Sequence, residues 1–215
     1  MSEENNKQDA VNPAADAAAD EEAKKKAREE ARAARAAARA KEKEAASAEE
    51  EAPKEPSPSQ PKLDRLVQLI KEHVGEGAVV EAFINETDRH LPCVIVDPNH
   101  WHDTAELVRD HNELQLHYLR NLSGVDYESH MEVAYYAINF NNKQNYCFKV
   151  RTDRDNGSIP SVADVWKTAN WNEREVFDLL GVSFPGHPDL RRIMMPDDWV
   201  GYPLRKDYEP IDPEV

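Results

Sequence analysis

From Trp171 to Tyr208 the chain reads WNEREVFDLLGVSFPGHPDLRRIMMPDDWVGYPLRKDY, a stretch too apolar to stay in water and too proline-broken to build its own sheet. After Gly181 come Phe184, Leu190, Ile193, Met194, Met195, Trp199, Tyr202, Leu204, Tyr208 and Ile211. Pro185, Pro188, Pro196, Pro203, Pro210 and Pro213 interrupt them, which denies the segment a helix or a central strand. Each large apolar side chain left in water forgoes about 1.5–3 kcal/mol of burial. The tail must therefore lie on a surface, either its own domain's or a partner's. It opens as a short helix: Asn172 reads as the N-cap, Glu175 closes a capping box, Trp171 is placed to staple against Val176, and Gly181 supplies the stop.

Upstream, hydrophobic spacing divides the chain into three parts, 1–61, 62–170 and 171–215. Between Val11 and Leu63 there is no aromatic residue and no aliphatic one larger than Ala or Pro, so this segment cannot bury a core. Its Ala-rich stretch, with Asp20/Lys24, Glu21/Lys25 and Glu22/Lys26 pairs, predicts a solvated, partly formed single helix. Arg28, Arg32, Arg35 and Arg39 make a basic stripe on it, fit for anionic lipid or an acidic neighbour. The lack of a Leu or Trp face favours an ordinary charge-laced helix. Lys54 to Lys62, with three prolines, reads as a stiff linker.

From Lys62 onward the periodicity predicts a helix carrying Leu63, Leu66, Val67 and Ile70, then strands at Ala78–Ile84 and Leu91–Val96, and a helix around Thr104–Asn112. Three strands follow, at Leu114–Tyr118, Met131–Phe140 and Tyr146–Val150. Ser161 and Asp164 cap a further helix with Val162, Val165, Trp166 and Ala169 on one face. The fold class is α+β: a mixed or antiparallel sheet, flanking helices and an extended C-terminal docking tail.

The 215 residues carry a formal charge of -15, from 42 acidic and 27 basic side chains, which argues against a nucleic-acid-binding protein. Residues 62 and below contribute -3, leaving 15 basic against 27 acidic residues in the rest. Cys93 and Cys147 read as separate buried thiols in strands, with a disulfide disfavoured in a reducing compartment. Two separated cysteines cannot supply the four cysteine ligands that an iron–sulfur cluster usually takes, and neither a dinucleotide fingerprint nor a P-loop is present. No transmembrane run, signal or transit character is seen, so the expected compartment is cytoplasmic, with other subunits bringing the chain to any membrane.

His100-Trp101-His102-Asp103 is the densest histidine group, but i, i+2 spacing at a turn favours surface or capping duty over ligation. Glu173 and Glu175 diverge by about 200° on a helix and cannot flank one substrate. Arg191, Arg192, Arg205 and Lys206 punctuate an acidic chain, and arginine forks suit carboxylates, either across an interface or on the chain's own domain. His187-Pro188-Asp189 matches the tripeptide of J-domain co-chaperones, but an acidic helix and preceding strands are foreign to that all-helical hairpin.

Glu173-Arg174-Glu175, Asp178, Gly181, Phe184, His187-Pro188-Asp189-Leu190-Arg191-Arg192-Ile193, Pro196-Asp197-Asp198-Trp199, Gly201 and Pro203-Leu204-Arg205-Lys206-Asp207-Tyr208 together resemble the signature of the 30 kDa subunit of respiratory complex I, the proton-pumping NADH:quinone oxidoreductase. Leu63 to Thr152 resembles that family more loosely, and Met1 to Pro61 falls outside the pattern. The resemblance implies a peripheral, cofactor-free subunit of the hydrophilic arm on the cytoplasmic side of the bacterial membrane. FMN and the iron–sulfur clusters would be held by other subunits. Its partners would be those forming the quinone pocket and holding the terminal cluster. Docking is then assigned to Glu173, Arg174, Glu175, Asp178, His187, Asp189, Arg191, Arg192, Trp199, Arg205, Lys206 and Tyr208, with no catalytic, cofactor-binding or metal residue. A subunit of a related membrane-bound hydrogenase or F420-linked complex is the alternative. A stand-alone adaptor or a J-domain-like co-chaperone is more remote.

Because Met1 to Pro61 buries nothing, a chain starting near Lys62 is expected to enter the assembled complex normally, as native gels of membranes would show. Failure to incorporate would make the arginine stripe a docking site.

Overall fold

A computed structural model of the protein describes residues 57–209. The Ala-rich segment, the arginine stripe and Ile211 lie outside the described residues. Helix α1 (Gln60–His73) begins with Pro61 in its first turn, where a missing N–H is harmless, and turns Leu63, Leu66, Leu69 and Ile70 inward. It is followed by β1 (Val79–Asn85) and β2 (Leu91–Val96). Asp97 accepts the Asn99 N–H at 2.9 Å and leads into α2 (Trp101–Asp110). Then come β3 (Tyr118–Asp126), β4 (Met131–Ile138), β5 (Asn145–Thr152) and α3 (Ala169–Leu180).

The five strands form one mixed sheet in the order β1-β2-β5-β4-β3. Only β2 and β5 run parallel; the other neighbours are antiparallel. All six residues of β2 are buried, as its unbroken apolar run requires. Strand alternation sends Val94, Val96, Val133, Tyr135, Phe148 and Val150 to the face on which the helices pack, where they meet Leu66, Ile70, Trp101 and Val176 in one core. Trp101 anchors it, with its ring centroid 4.3 Å from that of Tyr135 and 5.9 Å from that of Phe148. The opposite face carries a smaller cluster, Leu91, Cys93, Ala134 and Cys147, flanked by Phe83 and Tyr136.

The α+β class and the order of elements agree with the sequence pattern; four local features differ. The third strand is Tyr118–Asp126, not Leu114–Tyr118. The latter stretch turns through Gln115, at φ 48°, and buries Leu114 and Leu116. The helix expected after Ser161 is a turn-rich loop, although Val162, Val165, Trp166 and Ala169 are all buried as the pattern required. Ser161 and Val162 give their O–H and N–H to Glu173, which holds the strip out of a helix. The last helix starts at Ala169, three residues before Asn172, so no capping box forms; Glu175 sits exposed on the helix and Trp171 is 63% exposed under the Arg174 guanidinium. Finally, Cys93 and Cys147 are direct register partners on β2 and β5.

Gly124 of β3 lets α3 lie close on the sheet. A Cβ there would fall 2.5 Å from Leu180 Cδ1 and 3.0 Å from Val176 Cγ1. Gly124→Val is expected to lower stability by about 1–3 kcal/mol through overpacking, and Gly124→Ala by less. Denaturant midpoints measure this, and an unchanged midpoint for the valine variant would mean that α3 lies less tightly on β3.

Candidate functional site

Beyond Gly181, whose φ of 77° permits a left-handed helix end, the tail stays close to the domain. Its first residues run beside the loop 157–161: Ser183 N–H donates to Gly157 O at 2.8 Å, Ile159 N–H to Ser183 O at 3.0 Å and Ser161 N–H to Pro185 O at 2.8 Å. Val182 and Phe184 are buried there.

Three buried carboxylates then organise the rest. Asp178, fully buried on α3, accepts three consecutive backbone N–H groups on one oxygen: Ile193 at 2.9 Å, Met194 at 2.6 Å and Met195 at 3.0 Å. Arg192 Nε lies 3.6 Å from its other oxygen. Burial works against the charge, but the three N–H donors and the arginine outweigh it and hold the carboxyl below its ordinary value. Asp126, at the end of β3, receives a fork from Arg154, with Nε and Nη2 both at 2.9 Å, plus the backbone N–H of Lys206 at 3.0 Å and of Glu128 at 2.8 Å. The fork, with those N–H groups, overcomes burial and keeps Asp126 well below the usual carboxylate range. Arg154 also donates to Asp207 of the tail, at 2.7 Å, so one guanidinium ties the sheet end to the C-terminal strap.

Glu173 behaves oppositely. It is fully buried, and burial pushes its carboxyl up to about 7 despite the Ser161 hydroxyl at 2.5 Å and the Val162 N–H at 2.8 Å. Asp164 pushes in the same direction and His102 against it.

The strap returns over the end of α3, where Leu204 N–H donates to Leu179 O at 3.0 Å and Arg205 Nε to Leu180 O at 2.7 Å. A Cβ on Gly181 would meet the Tyr202 ring at 2.6 Å, so the crossing needs a glycine. Arg174 donates to Arg191 O at 3.2 Å. His187 Nδ1 accepts the Asp189 N–H at 3.0 Å, which leaves Nε2 to donate to Asn170 O, also at 3.0 Å.

Of the residues assigned to docking, Glu173, Arg174 and Asp178 are thus buried within this chain, and Arg192 and Arg205 are engaged inside it. Trp199 and Tyr208 are half-buried, and His187 is turned to α3. Glu175, Asp189, Arg191 and Lys206 face solvent; Arg191 pairs with Asp189 at 3.0 Å and Lys206 with Glu128 at 3.5 Å. Asp126 and Arg154, missed by sequence reasoning, reach each other and the tail across 28 to 80 positions, which no local pattern reveals. His102 meets Asp164 at 3.1 Å, and its donor atoms lie within 4.8 Å of Asp103 and Glu106, both exposed. The hollows along α1, about 510 Å³, and beside the Arg89 turn, about 470 Å³, are lined by residues outside the signature.

These features define a two-layer α+β domain with a strapped C-terminal tail. A family model described as "Respiratory-chain NADH dehydrogenase, 30 Kd subunit" matches residues 94–214. The NADH-quinone oxidoreductase C-subunit from Chlorobium phaeobacteroides is 44% identical over 146 residues, covering 66% of this chain and 85% of that one. The protein of the same name from a Roseiflexus species is 49% identical over 117 residues, 53% and 67% of the two chains. A chain in the structure of an archaeal membrane-bound sulfane sulfur reductase shares the fold, with a TM-score of 0.58 at 23% identity over 71% of this chain and 88% of that chain. The chain belongs to the family of the 30 kDa subunit of respiratory-chain NADH dehydrogenase.

Glu173 makes the stability of the domain depend on pH. Between the ordinary glutamate value of about 4.3 and its folded value of about 7, the native state keeps a proton that the unfolded chain has lost. Stability therefore falls as pH rises through that window, by on the order of 3 kcal/mol in total from this group. Glu173→Gln should flatten the difference between unfolding midpoints measured at pH 5 and pH 7. An equal slope in both proteins would show that Glu173 ionises freely.

Proposed function

We propose that this chain acts as the 30 kDa-type subunit of a proton-pumping NADH:quinone oxidoreductase, as a cofactor-free scaffold on the cytoplasmic side of the bacterial membrane. FMN and iron–sulfur clusters would sit in other subunits, and its neighbours would be those that hold the terminal cluster and form the quinone pocket. The single observation that carries the scaffold reading is the inversion at the signature. Glu173, Asp178, Arg174, Arg192 and Arg205 turn inward to hold the loop and the tail, while Trp171 on α3 and Met194, Val200 and Leu204 on the strap stand 59 to 77% exposed. Large apolar side chains gathered on one strap are what a protein partner covers. With two cysteines in the chain, the four-cysteine ligand set usual for an iron–sulfur cluster is not available.

The sulfane sulfur reductase chain shares the fold, so fold alone does not select the electron donor. The relatives at 44% and 49% identity, both named for NADH, favour that donor over a hydrogenase or F420-linked complex.

Met194→Asp with Leu204→Asp changes exposed residues only, so the isolated chain should keep its unfolding midpoint. Each change removes an apolar contact worth about 1–2 kcal/mol at an interface. The amount of intact complex in membranes should fall several-fold, with NADH:quinone turnover per assembled complex unchanged. The chain purified alone should carry no stoichiometric flavin or iron. Normal assembly with a large loss of turnover per complex would place the strap in catalysis and overturn the scaffold reading.

A further inference from the structure

The face of the sheet opposite the helices holds two thiols that the fold brings together. Cys93 of β2 and Cys147 of β5 are direct partners in the parallel register, so both side chains leave the sheet on the same side at the same level. Both are free thiols, each 1% exposed. Among the described residues no helix packs on this face; the helices' buried apolar side chains all belong to the core on the other side. The thiols are covered by the side chains of neighbouring strands. Phe83 and Tyr136 pack against the cluster, and Lys149 Nζ lies 5.7 Å over the Phe83 ring and 2.8 Å from Glu132. A lid of this kind opens by rotamer motion, without unfolding a layer.

We propose that Cys93 and Cys147 form an oxidisable dithiol, in which hydrogen peroxide converts the two thiols into a disulfide that ties β2 to β5 across the middle of the sheet. Neighbouring strands run about 4.7–4.9 Å apart, inside the span of about 4.4–6.8 Å that a disulfide bridges between Cα atoms. The roles of the two sulfurs follow from their surroundings. Cys93 S–H points to the Leu91 carbonyl at 3.5 Å, and Cys147 is its direct neighbour across the sheet. The neighbouring Cys147 thiol, aided by the Lys149 charge and opposed by burial, draws the Cys93 thiol below its ordinary value, while Cys93 and burial push Cys147 up. Cys93 is therefore the attacking sulfur and Cys147 the resolving one.

The Cys93 thiolate attacks one peroxide oxygen, the O–O bond breaks, and the leaving oxygen departs as water after taking the proton, leaving a sulfenic acid on Cys93. The Cys147 sulfur then attacks the Cys93 sulfur, the S–O bond breaks and a second water leaves with the Cys147 proton. Two thiols lose two electrons to one peroxide. A disulfide is opened by the attack of a thiolate on one of its sulfurs, through a mixed disulfide. The change is thus reversible by a dithiol.

The experiment treats the reduced, purified full-length chain with hydrogen peroxide and reads it by intact and peptide mass spectrometry. The expected product is a monomer lighter by two hydrogen atoms at the cysteine peptides, with one cross-linked peptide joining Cys93 to Cys147 and full recovery of both thiols on reduction. In Cys147→Ala the reaction should stop at a Cys93 sulfenic acid that dimedone traps, and Cys93→Ala should leave Cys147 a thiol. Alanine fits both buried positions, and an unchanged unfolding midpoint confirms that each variant is folded. Three results overturn the proposal: both thiols surviving peroxide that oxidises them in the urea-unfolded chain, sulfinic acid without the cross-linked peptide, or disulfides only between two chains.

Discussion

The carboxylate of Asp178 is the contact on which the C-terminal third of this structure depends. A segment broken by proline every few residues cannot satisfy its own backbone, and buried N–H groups without partners are costly. One oxygen on α3 satisfies three of them in a row, at Ile193, Met194 and Met195. A charged acceptor makes each bond roughly twice as strong as a neutral one, so a short irregular chain is held without any regular structure. Everything beyond that point, the return over Gly181 and the tie at Asp126, follows the path this contact sets.

The second tie works on the same principle at the far end of the sheet. Arg154 holds Asp126 and Asp207 together, so the strap is anchored to the domain through one guanidinium shared by two acids. In an acidic protein this concentrates positive charge where it neutralises buried carboxylates. As a consequence, the arginines that clamp the tail are no longer free to meet a partner. What remains outside includes, beside exposed charges such as Glu175, Asp189 and Lys206, the large apolar side chains of Trp171, Met194, Val200 and Leu204. The surface that the tail offers is therefore shaped by electrostatics beneath it and sets large apolar side chains among charged ones on top.

The two faces of the sheet divide the remaining work. One is sealed by α1, α2 and α3 around Trp101 and supplies the hydrophobic stability. The other is finished with long side chains of its own strands, Lys149, Arg151 and Tyr136, over small residues such as Ala134 and the two cysteines. Glu132 there is nearly buried, and although burial opposes its charge, Lys149 and Arg151 keep it ionised. A face built this way is shielded from water yet not locked by a second layer, which is the setting the dithiol occupies.

The sequence alone determined the α+β class, the order of elements, the buried stripes of α1, β2, β4 and β5, the glycine stop at Gly181 and the need for the tail to lie on something. These depend on residue type and on spacings of a few positions, which local periodicity records. Only the tertiary structure decided which acid holds which part of the tail, that Ser161 and Val162 serve Glu173 in place of a helix, that α3 starts at Ala169, and that Cys93 meets Cys147. The contacts behind those outcomes join residues 11 to 80 positions apart. Such partners are chosen by the path of the whole chain, and the energy that selects them appears only when the sheet, the helix and the strap are assembled together.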